Sequence, residues 1–553
     1  MKKKVKKFFV YFMFLLLVPI VLAGAFFAVL YFFQGTSILG YEYVNYEETI
    51  IKEFSPSDLS VALVNSIKIA GSSTKIVIEP NEQSSVIELV YNQQVRGFTK
   101  SNFANAYITS EYSVDEFEDV SATYKSLAIN IIEPSGLLVS SGSIVRLKMP
   151  EEYYVSMIYC KNAKDIEFYS SKNVETEEVS KTYKINTNNV YLSTSGSSKV
   201  TLFGNGAKVY NVKTEKGNVF LSNGETFSAE KLKFETKTGE LNFSSNGNAL
   251  LELTNGLEVV SFDKKGAKVN IDTLLGNLTV NSTGGNFTFG SIGEYGSQKG
   301  VTLNSTNSTY NFGQVYGFVS LQNGGGKSEN KIVADTILNA TTTGNNFEVG
   351  SGSVNISNLT GNSTFSSSSG RIYVSKIDKN SSVYALSESG EINLTYQENK
   401  SSIKSTTIDI FTNTGNVFLK NISGLLKVNI LSDSQNAKLD IVFTAVCNDE
   451  SNIEENVIKA KNRDVTMTLK GFTDDFKFRY LTTTKPFFDT KILQSQVSGG
   501  QEYLLNKAPY KDNYSYQYRC GYEDGIATAI INANYGKLLV STSGTARMFV
   551  SFT

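Results

Sequence analysis

The 553-residue sequence contains no histidine and no tryptophan, and it has only three cysteines and seven prolines. The absence of histidine excludes serine–histidine triads, imidazole-bound zinc and the side chain that most often transfers protons near neutral pH. Catalysis would therefore have to rely on carboxylates, Lys, Tyr, Arg or Ser.

Three cysteines are too few for a disulfide scaffold in a chain of this length. Cys447 and Cys520 flank an irregular stretch and form a candidate disulfide pair, although sequence alone does not show that they are close. Cys160 is expected to be a small buried hydrophobic residue.

Charge is also scarce, at 19% of the residues, with a formal net charge of −1. Five of the 52 basic residues are lysines within the first seven positions, so the rest of the chain has 47 basic and 53 acidic residues. A mildly acidic body argues against a nucleic-acid partner, which requires a basic surface.

A long apolar run does occur, at the N-terminus. Residues 8–33 contain no charged side chain, and as a helix this run exceeds the roughly 20 residues that cross a bilayer. It is also longer than the apolar region of about 7–15 residues in a signal peptide, which favours an uncleaved signal-anchor over a cleaved leader. The preceding lysines predict a cytoplasmic N-terminus and place the remaining residues outside the cell.

Short strands follow the anchor. Ser55 and Pro56 predict the start of one short helix, and "IKIAGSSTKIVIEPNEQSSVIELVYN" predicts three strands with alternating apolar residues. After Tyr183 one unit recurs: an alternating strand, a turn rich in Thr, Ser and Asn that ends in Gly, and a second strand. Six turn glycines mark these units: Gly217, Gly239, Gly276, Gly344, Gly390 and Gly415.

A period of about 20–25 residues predicts a solenoid. An antiparallel sandwich also has short strands and frequent turns, but it does not require the whole unit to recur. We expect each turn glycine to adopt a positive φ at a corner that a side chain would block. One coil cannot offset its own ordering entropy, so stability must come from stacking.

The predicted fold class is therefore all-β: a parallel β-solenoid (right-handed β-helix-like) ectodomain with one N-terminal transmembrane helix. The predicted divisions are a basic cytoplasmic tail (1–7), a transmembrane helix (8–33), a juxtamembrane linker (34–66), a less regular β region that forms a cap (67–180), the β-solenoid repeats (181–446), an irregular insertion or cap (447–525) and a terminal β rung (526–553).

The opening strands "IKIAGSSTKIVIEP" and the recurrent T-x-x-G-x-[hydrophobic]-x-[hydrophobic] units resemble the bacterial "putative adhesin" family of β-solenoid domains. The resemblance covers residues 65–440. It implies a membrane-anchored surface or envelope protein, and that family has no established catalytic residues to transfer to this chain.

No catalytic, cofactor-binding or metal-binding residues are predicted, and the chain is expected not to be an enzyme. The predicted function is binding or scaffolding at the cell surface. Its partner would be an envelope protein, a wall polymer or a host surface, and no nucleic acid is expected. Two alternatives stay open: a polysaccharide-active β-helix enzyme and an envelope-stress or sensory accessory protein.

Overall fold

The computed structural model describes most of the chain and divides it into two compact units, Met1–Leu232 and Lys233–Thr553. The described residues are 2–32, 41–71, 74–100, 107–117, 122–132, 137–175, 180–222, 224–297, 299–322, 328–397, 407–422, 425–430, 439–444, 455–461, 465–470, 478–482, 506–508, 516–520, 537–543 and 548–552.

The N-terminal apolar run is helical. Helix α1 spans Lys2–Phe32 and includes Pro19, and its segment Tyr11–Val29 is apolar, exposed and long enough to cross a membrane. An N-terminal signal sequence can also form an apolar helix of this kind, so the helix indicates secretion or membrane anchoring.

The first unit continues with one short helix and many strands. Helix α2 spans Pro56–Val61, with Ser55 as its N-cap residue and Pro56 at its first position, as predicted. The strands are β1 Tyr41–Phe54, β2 Ser66–Gly71, β3 Lys75–Pro80, β4 Ile87–Lys100, β5 Tyr107–Phe117, β6 Ala122–Ile132, β7 Leu137–Ser141, β8 Ile144–Met149, β9 Val155–Ala163, β10 Asp165–Tyr169, β11 Ser171–Glu175, β12 Ser180–Lys184, β13 Thr187–Thr194, β14 Val200–Phe203, β15 Val209–Thr214, β16 Asn218–Ser222 and β17 Thr226–Ala229.

Parallel pairing dominates this unit, with antiparallel strands at its start. One run of parallel neighbours is β6–β2–β9–β13–β15, and another is β8–β3–β10–β14–β16. Strand β5 pairs antiparallel with β6, and β4 pairs antiparallel with both β1 and β8. The three strands predicted from residue 67 onward are confirmed as β2, β3 and β4.

The second unit consists of strands alone in its described part. Its strands, with β18 across the boundary, are β18 Lys231–Thr236, β19 Glu240–Phe243, β20 Leu250–Leu253, β21 Leu257–Ser261, β22 Ala267–Leu275, β23 Leu278–Ser282, β24 Gly285–Ile292, β25 Lys299–Ser305, β26 Ser308–Gln322, β27 Lys331–Leu338, β28 Asn345–Gly350, β29 Ser353–Thr360, β30 Ser363–Ser367, β31 Ile372–Ile377, β32 Val383–Ser387, β33 Ile392–Tyr396, β34 Thr407–Thr412, β35 Val417–Ile422, β36 Leu425–Ile430, β37 Leu439–Thr444, β38 Glu455–Lys461, β39 Val465–Lys470, β40 Phe478–Thr482, β41 Asn506–Ala508, β42 Tyr516–Cys520, β43 Lys537–Ser543 and β44 Met548–Phe552.

These strands form two interleaved parallel ladders, because alternate strands of the chain pair with each other. The first ladder runs β22–β24–β26–β27–β29–β31–β33–β35–β37–β39–β44. The second ladder runs β21–β23–β25–β26–β28–β30–β32–β34–β36–β38–β43. The long strand β26 contributes its first half to one ladder and its second half to the other.

Successive partners lie about one repeat apart along the chain, as in the register Val354↔Ile372↔Ile392↔Val417. The exception is the last step of each ladder, where β38 pairs with β43 and β39 with β44 across a long intervening segment. Within that segment β40 pairs in parallel with β43 and antiparallel with β42. The predicted limits 447–525 and 526–553 stay predictions.

Inward-facing apolar residues form the core of each ladder. Aromatic rings stack on one another between neighbouring strands, with ring centroids 5.0 Å apart for both Phe347–Phe365 and Phe287–Tyr310. All four of these side chains are fully buried. Burial of such large apolar surfaces is the main stabilising term of the coil.

The predicted role of the turn glycines was wrong in its mechanism. None of the six turn glycines is among the described residues with positive φ. At four of them, Gly217, Gly276, Gly390 and Gly415, a neighbouring backbone carbonyl oxygen lies too close for a side chain. A Cβ at Gly390 would come well within 3.0 Å of the carbonyl oxygen of Gly370, and a Cβ at Gly415 would meet that of Gly390.

Buried hydroxyl groups complete these corners. Ser387 lies three residues before Gly390, and its hydroxyl donates to the carbonyl oxygen of that glycine at 3.1 Å. Thr412 accepts a hydrogen bond from the backbone N–H of Gly415 at 3.1 Å. Ser387 and Thr412 occupy paired positions on neighbouring strands, so the T-x-x-G motif is a column of buried corner hydrogen bonds.

Candidate functional site

The second ladder presents a solvent-facing surface whose residues are set by strand alternation. Along β23, Leu278 and Val280 are buried, whereas Thr279 and Asn281 point outward. Successive side chains of a strand face opposite sides of the sheet, and parallel pairing places like positions side by side. The outward residues of successive strands therefore form two columns.

We name the first part of this surface the polar face. The register pairs Thr279 with Thr302 and Asn281 with Asn304, and the same two columns continue through β26, β28 and β30. The polar face consists of Thr279, Asn281, Thr302, Asn304, Ser320, Gln322, Asn346, Glu348, Thr364 and Ser366.

The polar face has hydrogen-bonding capacity that the chain does not use. Within it, Asn346 Nδ2 donates to Glu348 Oε1 at 3.2 Å. The remaining side chains make no hydrogen bond with any residue that the structure describes. Thr302, Asn304 and Thr364 are exposed. Hydroxyl and amide groups therefore face solvent with free donors and acceptors.

The two columns change character at the next two strands. Tyr384 and Leu386 in β32 follow Thr364 and Ser366 in the register, and Phe411 in β34 follows Leu386. Tyr384 is 42% exposed and Leu386 is 40% exposed. The rings of Tyr384 and Phe411 lie with centroids 5.4 Å apart. We call Tyr384, Leu386 and Phe411 the aromatic patch.

A carboxylate lies beside the aromatic patch. Asp409 is paired with Tyr384 in the register, and its Oδ1 atom is shielded from solvent without a hydrogen-bond partner. A shielded acceptor without a donor is unfavourable, so this carboxylate oxygen is a local cost in the fold.

The first unit contains a shallow pocket of about 330 Å³ that is lined by residues of β1 and β4 and by Gly142 and Ile144. Its polar side chains largely bond one another: Gln94 Nε2 donates to Glu47 Oε1 at 3.1 Å, and Thr49 Oγ1 donates to Asn92 Oδ1 at 3.0 Å. Among the described residues, no group of three or more Cys, Asp or Glu is placed to hold a metal ion.

Of the cysteines, the structure describes the side chain of Cys160. Cys447 lies outside the described residues, so its pairing with Cys520, which ends β42, stays a prediction. Cys160 is a free cysteine and fully buried, and burial raises the pKa of its thiol far above the ordinary value. A buried neutral thiol is a poor nucleophile.

Sequence reasoning did not identify the polar face or the aromatic patch. A signal was present, because "LTVNS" and "VTLNS" place Thr and Asn at the same two outward positions. Reading those positions as columns requires the register between strands that are more than 20 residues apart, which local pattern does not supply.

No family model matches this chain, and no curated protein does. Three solved structures are similar at low sequence identity. A "putative adhesin" from Bacteroides fragilis NCTC 9343 is 12% identical, and the match covers 53% of this chain and 97% of that one, with a TM-score of 0.27.

A "putative cell adhesion protein" from Clostridium sporogenes ATCC 15579 is 10% identical over 56% of this chain and 99% of that one, with a TM-score of 0.17. A "putative adhesin" from Parabacteroides merdae ATCC 43184 is 10% identical over 68% and 97%, with a TM-score of 0.15. The structural similarity to bacterial proteins of this description agrees with the resemblance seen in the repeats.

Proposed function

We propose that this chain is a membrane-anchored surface protein of the bacterial envelope, a parallel β-solenoid of the right-handed β-helix kind that binds a partner through its lateral surface. The anchor is a single pass through the cell membrane, with the N-terminus in the cytoplasm and the ectodomain outside. The observation that carries the binding role is the polar face, most of whose side chains have no hydrogen-bond partner among the described residues.

The two interleaved ladders support the solenoid, because a chain whose alternate strands pair in parallel repeats the same path at every coil. The apolar segment Tyr11–Val29 supports the anchor. A binding role fits the polar face better than catalysis does. The face carries a single carboxylate, Glu348, whereas glycoside hydrolysis usually employs a pair.

A binding measurement on the full chain tests this proposal. The protein is reconstituted in lipid nanodiscs and exposed to purified bacterial cell-wall fragments and to purified envelope proteins. Thr302→Arg and Thr364→Arg place bulky cations on the polar face and should weaken binding. Thr288→Arg, an exposed threonine on the first ladder, is the matched control and should not.

Equal binding by the polar-face variants and the control would contradict a role for this surface. Retention of the chain in membranes tests the anchor separately, because an anchored and a secreted solenoid would bind the same partner.

A further inference from the structure

We infer that the partner of the polar face is an uncharged linear polysaccharide, with one of its sugar rings seated on the aromatic patch. This inference rests on the proposed function and specifies its ligand class. Three observations carry it: the repetition of the free polar groups, the absence of Lys and Arg among them, and the patch that adjoins them.

Repetition favours a polymer over a folded protein. The strands β23, β25, β26, β28, β30, β32 and β34 lie about 4.8 Å apart, so the surface from Thr279 to Asp409 extends about 29 Å. The two columns offer hydroxyl or amide groups at each step. A chain of identical hydroxyl-bearing units can satisfy such a series, whereas a protein interface concentrates its binding energy in a few central residues.

The absence of Lys and Arg from the polar face favours an uncharged polymer over a polyanion. Glu348 is the one ionisable group of the polar face, and the face has no Lys or Arg. Polyanions such as phosphate-containing or uronic-acid polymers are recognised mainly by cations. A neutral polysaccharide needs only donors and acceptors, which Thr, Ser, Asn and Gln side chains provide together.

The aromatic patch supplies what the polar columns lack. A pyranose ring has an apolar face of C–H groups and a rim of hydroxyls, so it packs on Tyr384 and Phe411 while its hydroxyls remain hydrogen-bonded. Asp409 is paired with Tyr384 in the register, so the seated ring lies beside this residue. Thr364 lies next in the column, so the polymer continues from the patch along the polar face.

Calorimetric titration of the full chain in nanodiscs tests the inference. The probes are four neutral hexasaccharides (of β-1,4-glucose, β-1,4-N-acetylglucosamine, α-1,4-glucose and β-1,3-glucose), with hyaluronan hexasaccharide as the anionic comparison. We expect at least one neutral probe to bind, with an affinity that does not change with salt because no ion pairs form.

Three variants locate the site. Tyr384→Ala removes the exposed ring and should weaken binding about ten-fold or more, which corresponds to losing one favourable contact. Thr364→Arg should weaken it comparably by blocking the column. Tyr373→Ala removes a tyrosine of the first ladder and should leave the affinity within about two-fold. All three side chains lie on solvent-facing positions, and circular dichroism confirms that each variant is folded.

Four outcomes overturn the inference: no neutral probe binds, the anionic probe binds more tightly than all neutral ones, Tyr384→Ala leaves the affinity unchanged, or Tyr373→Ala weakens it as much as Tyr384→Ala. If the chain still binds purified envelope proteins, and does so less well as Thr302→Arg, the proposed function survives without the polysaccharide. Loss of the proposed function would instead appear as polar-face variants that behave like Thr288→Arg toward every envelope fraction.

Discussion

Replacement of Gly390 by alanine should destabilise the second unit at the corner between β32 and β33. The added methyl group would meet the carbonyl oxygen of Gly370 on the neighbouring coil at well under 3.0 Å, a separation that Cβ atoms essentially never show. The obstacle is a backbone atom, so the collision cannot be relieved by turning a flexible side chain. The coils must separate locally.

Separation disturbs the hydrogen bonds that hold the two coils together at this point. The N–H of Ser389 donates to the carbonyl of Ser368 at 2.8 Å, and the N–H of Ile372 donates to that of Glu391 at 2.8 Å. Overpacking typically costs about 1–3 kcal/mol, and each weakened hydrogen bond adds about 1 kcal/mol. We therefore expect a loss of about 2–4 kcal/mol in the local free energy of opening.

Hydrogen exchange measured by mass spectrometry on the full-length protein is the suitable assay, because long repeat arrays do not always unfold in one step. Amides of β30 to β33 should exchange faster in Gly390→Ala. The matched control is Gly344→Ala, since a Cβ there would lie 3.1 Å from the carbonyl oxygen of Asn362 and Gly344 does not have a positive φ. Equal protection in the two variants would refute the close-approach explanation.

Three further predictions concern the core, a carboxylate and the anchor. Phe365→Ala removes a fully buried ring stacked on Phe347 and should lower the free energy of unfolding, measured by denaturant titration, by about 3–5 kcal/mol. The control Phe262→Ala removes a ring that is 71% exposed and should change that free energy by less than about 0.5 kcal/mol. Similar losses in the two variants would contradict the assigned core. Burial opposes ionisation of Asp272, but hydrogen bonds from a serine hydroxyl and from backbone N–H groups outweigh it, so its pKa lies below the ordinary 3.8. The ionised carboxylate of Asp272 therefore stabilises the folded protein above the ordinary pKa of 3.8, and this stabilisation is lost as the pH falls through the lower pKa of the folded state. Asp272→Asn should have a lower melting temperature than the parent near neutral pH, and the difference should shrink in acid. A difference that is independent of pH would refute this. After extraction of membranes with alkaline carbonate, the full chain should remain in the membrane fraction. N-terminal sequencing should show that residues 8–33 are retained, whereas a chain that begins beyond residue 33 would indicate a cleaved leader.

Much of the local structure could be predicted from the sequence. Ile67, Ile76 and Ile87 begin alternating apolar runs, and each lies in one of the strands β2, β3 and β4. Alternation is a local property, because it needs only one buried and one exposed side of a strand. The short helix α2 was equally predictable, since Ser55 and Pro56 act within its first turn.

Strand β1 could not be predicted from local pattern. The sequence predicts a juxtamembrane linker at residues 34–66, and that stretch contains β1, Tyr41–Phe54, which is paired along its whole length with β4. Glu47, Glu48 and Ile51 are all exposed, so no alternating apolar pattern marks the strand. Its hydrogen bonds to β4 define it, and β4 begins more than 30 residues further along the chain.

The turn glycines also separate what local sequence predicts from what only the tertiary structure shows. Their spacing predicted a repeating turn, and the repeat is present, but positive φ was the wrong reason for it. A positive φ is a property of one residue, whereas the collision at Gly390 involves the carbonyl of Gly370 one coil away. Only the stacked structure brings those two atoms together.

The sequence by itself determined most of the repeated strands, which side of most of them is apolar, where many of the corners lie and that one N-terminal segment is apolar enough for a membrane. These depend on interactions within a few residues. The tertiary structure decided which strands are neighbours, and with it the polar face, the aromatic patch and the closeness of the corner glycines. Those features combine residues about one repeat apart in the sequence. The distance between these residues in the structure is set by interstrand hydrogen bonding and not by their separation along the chain.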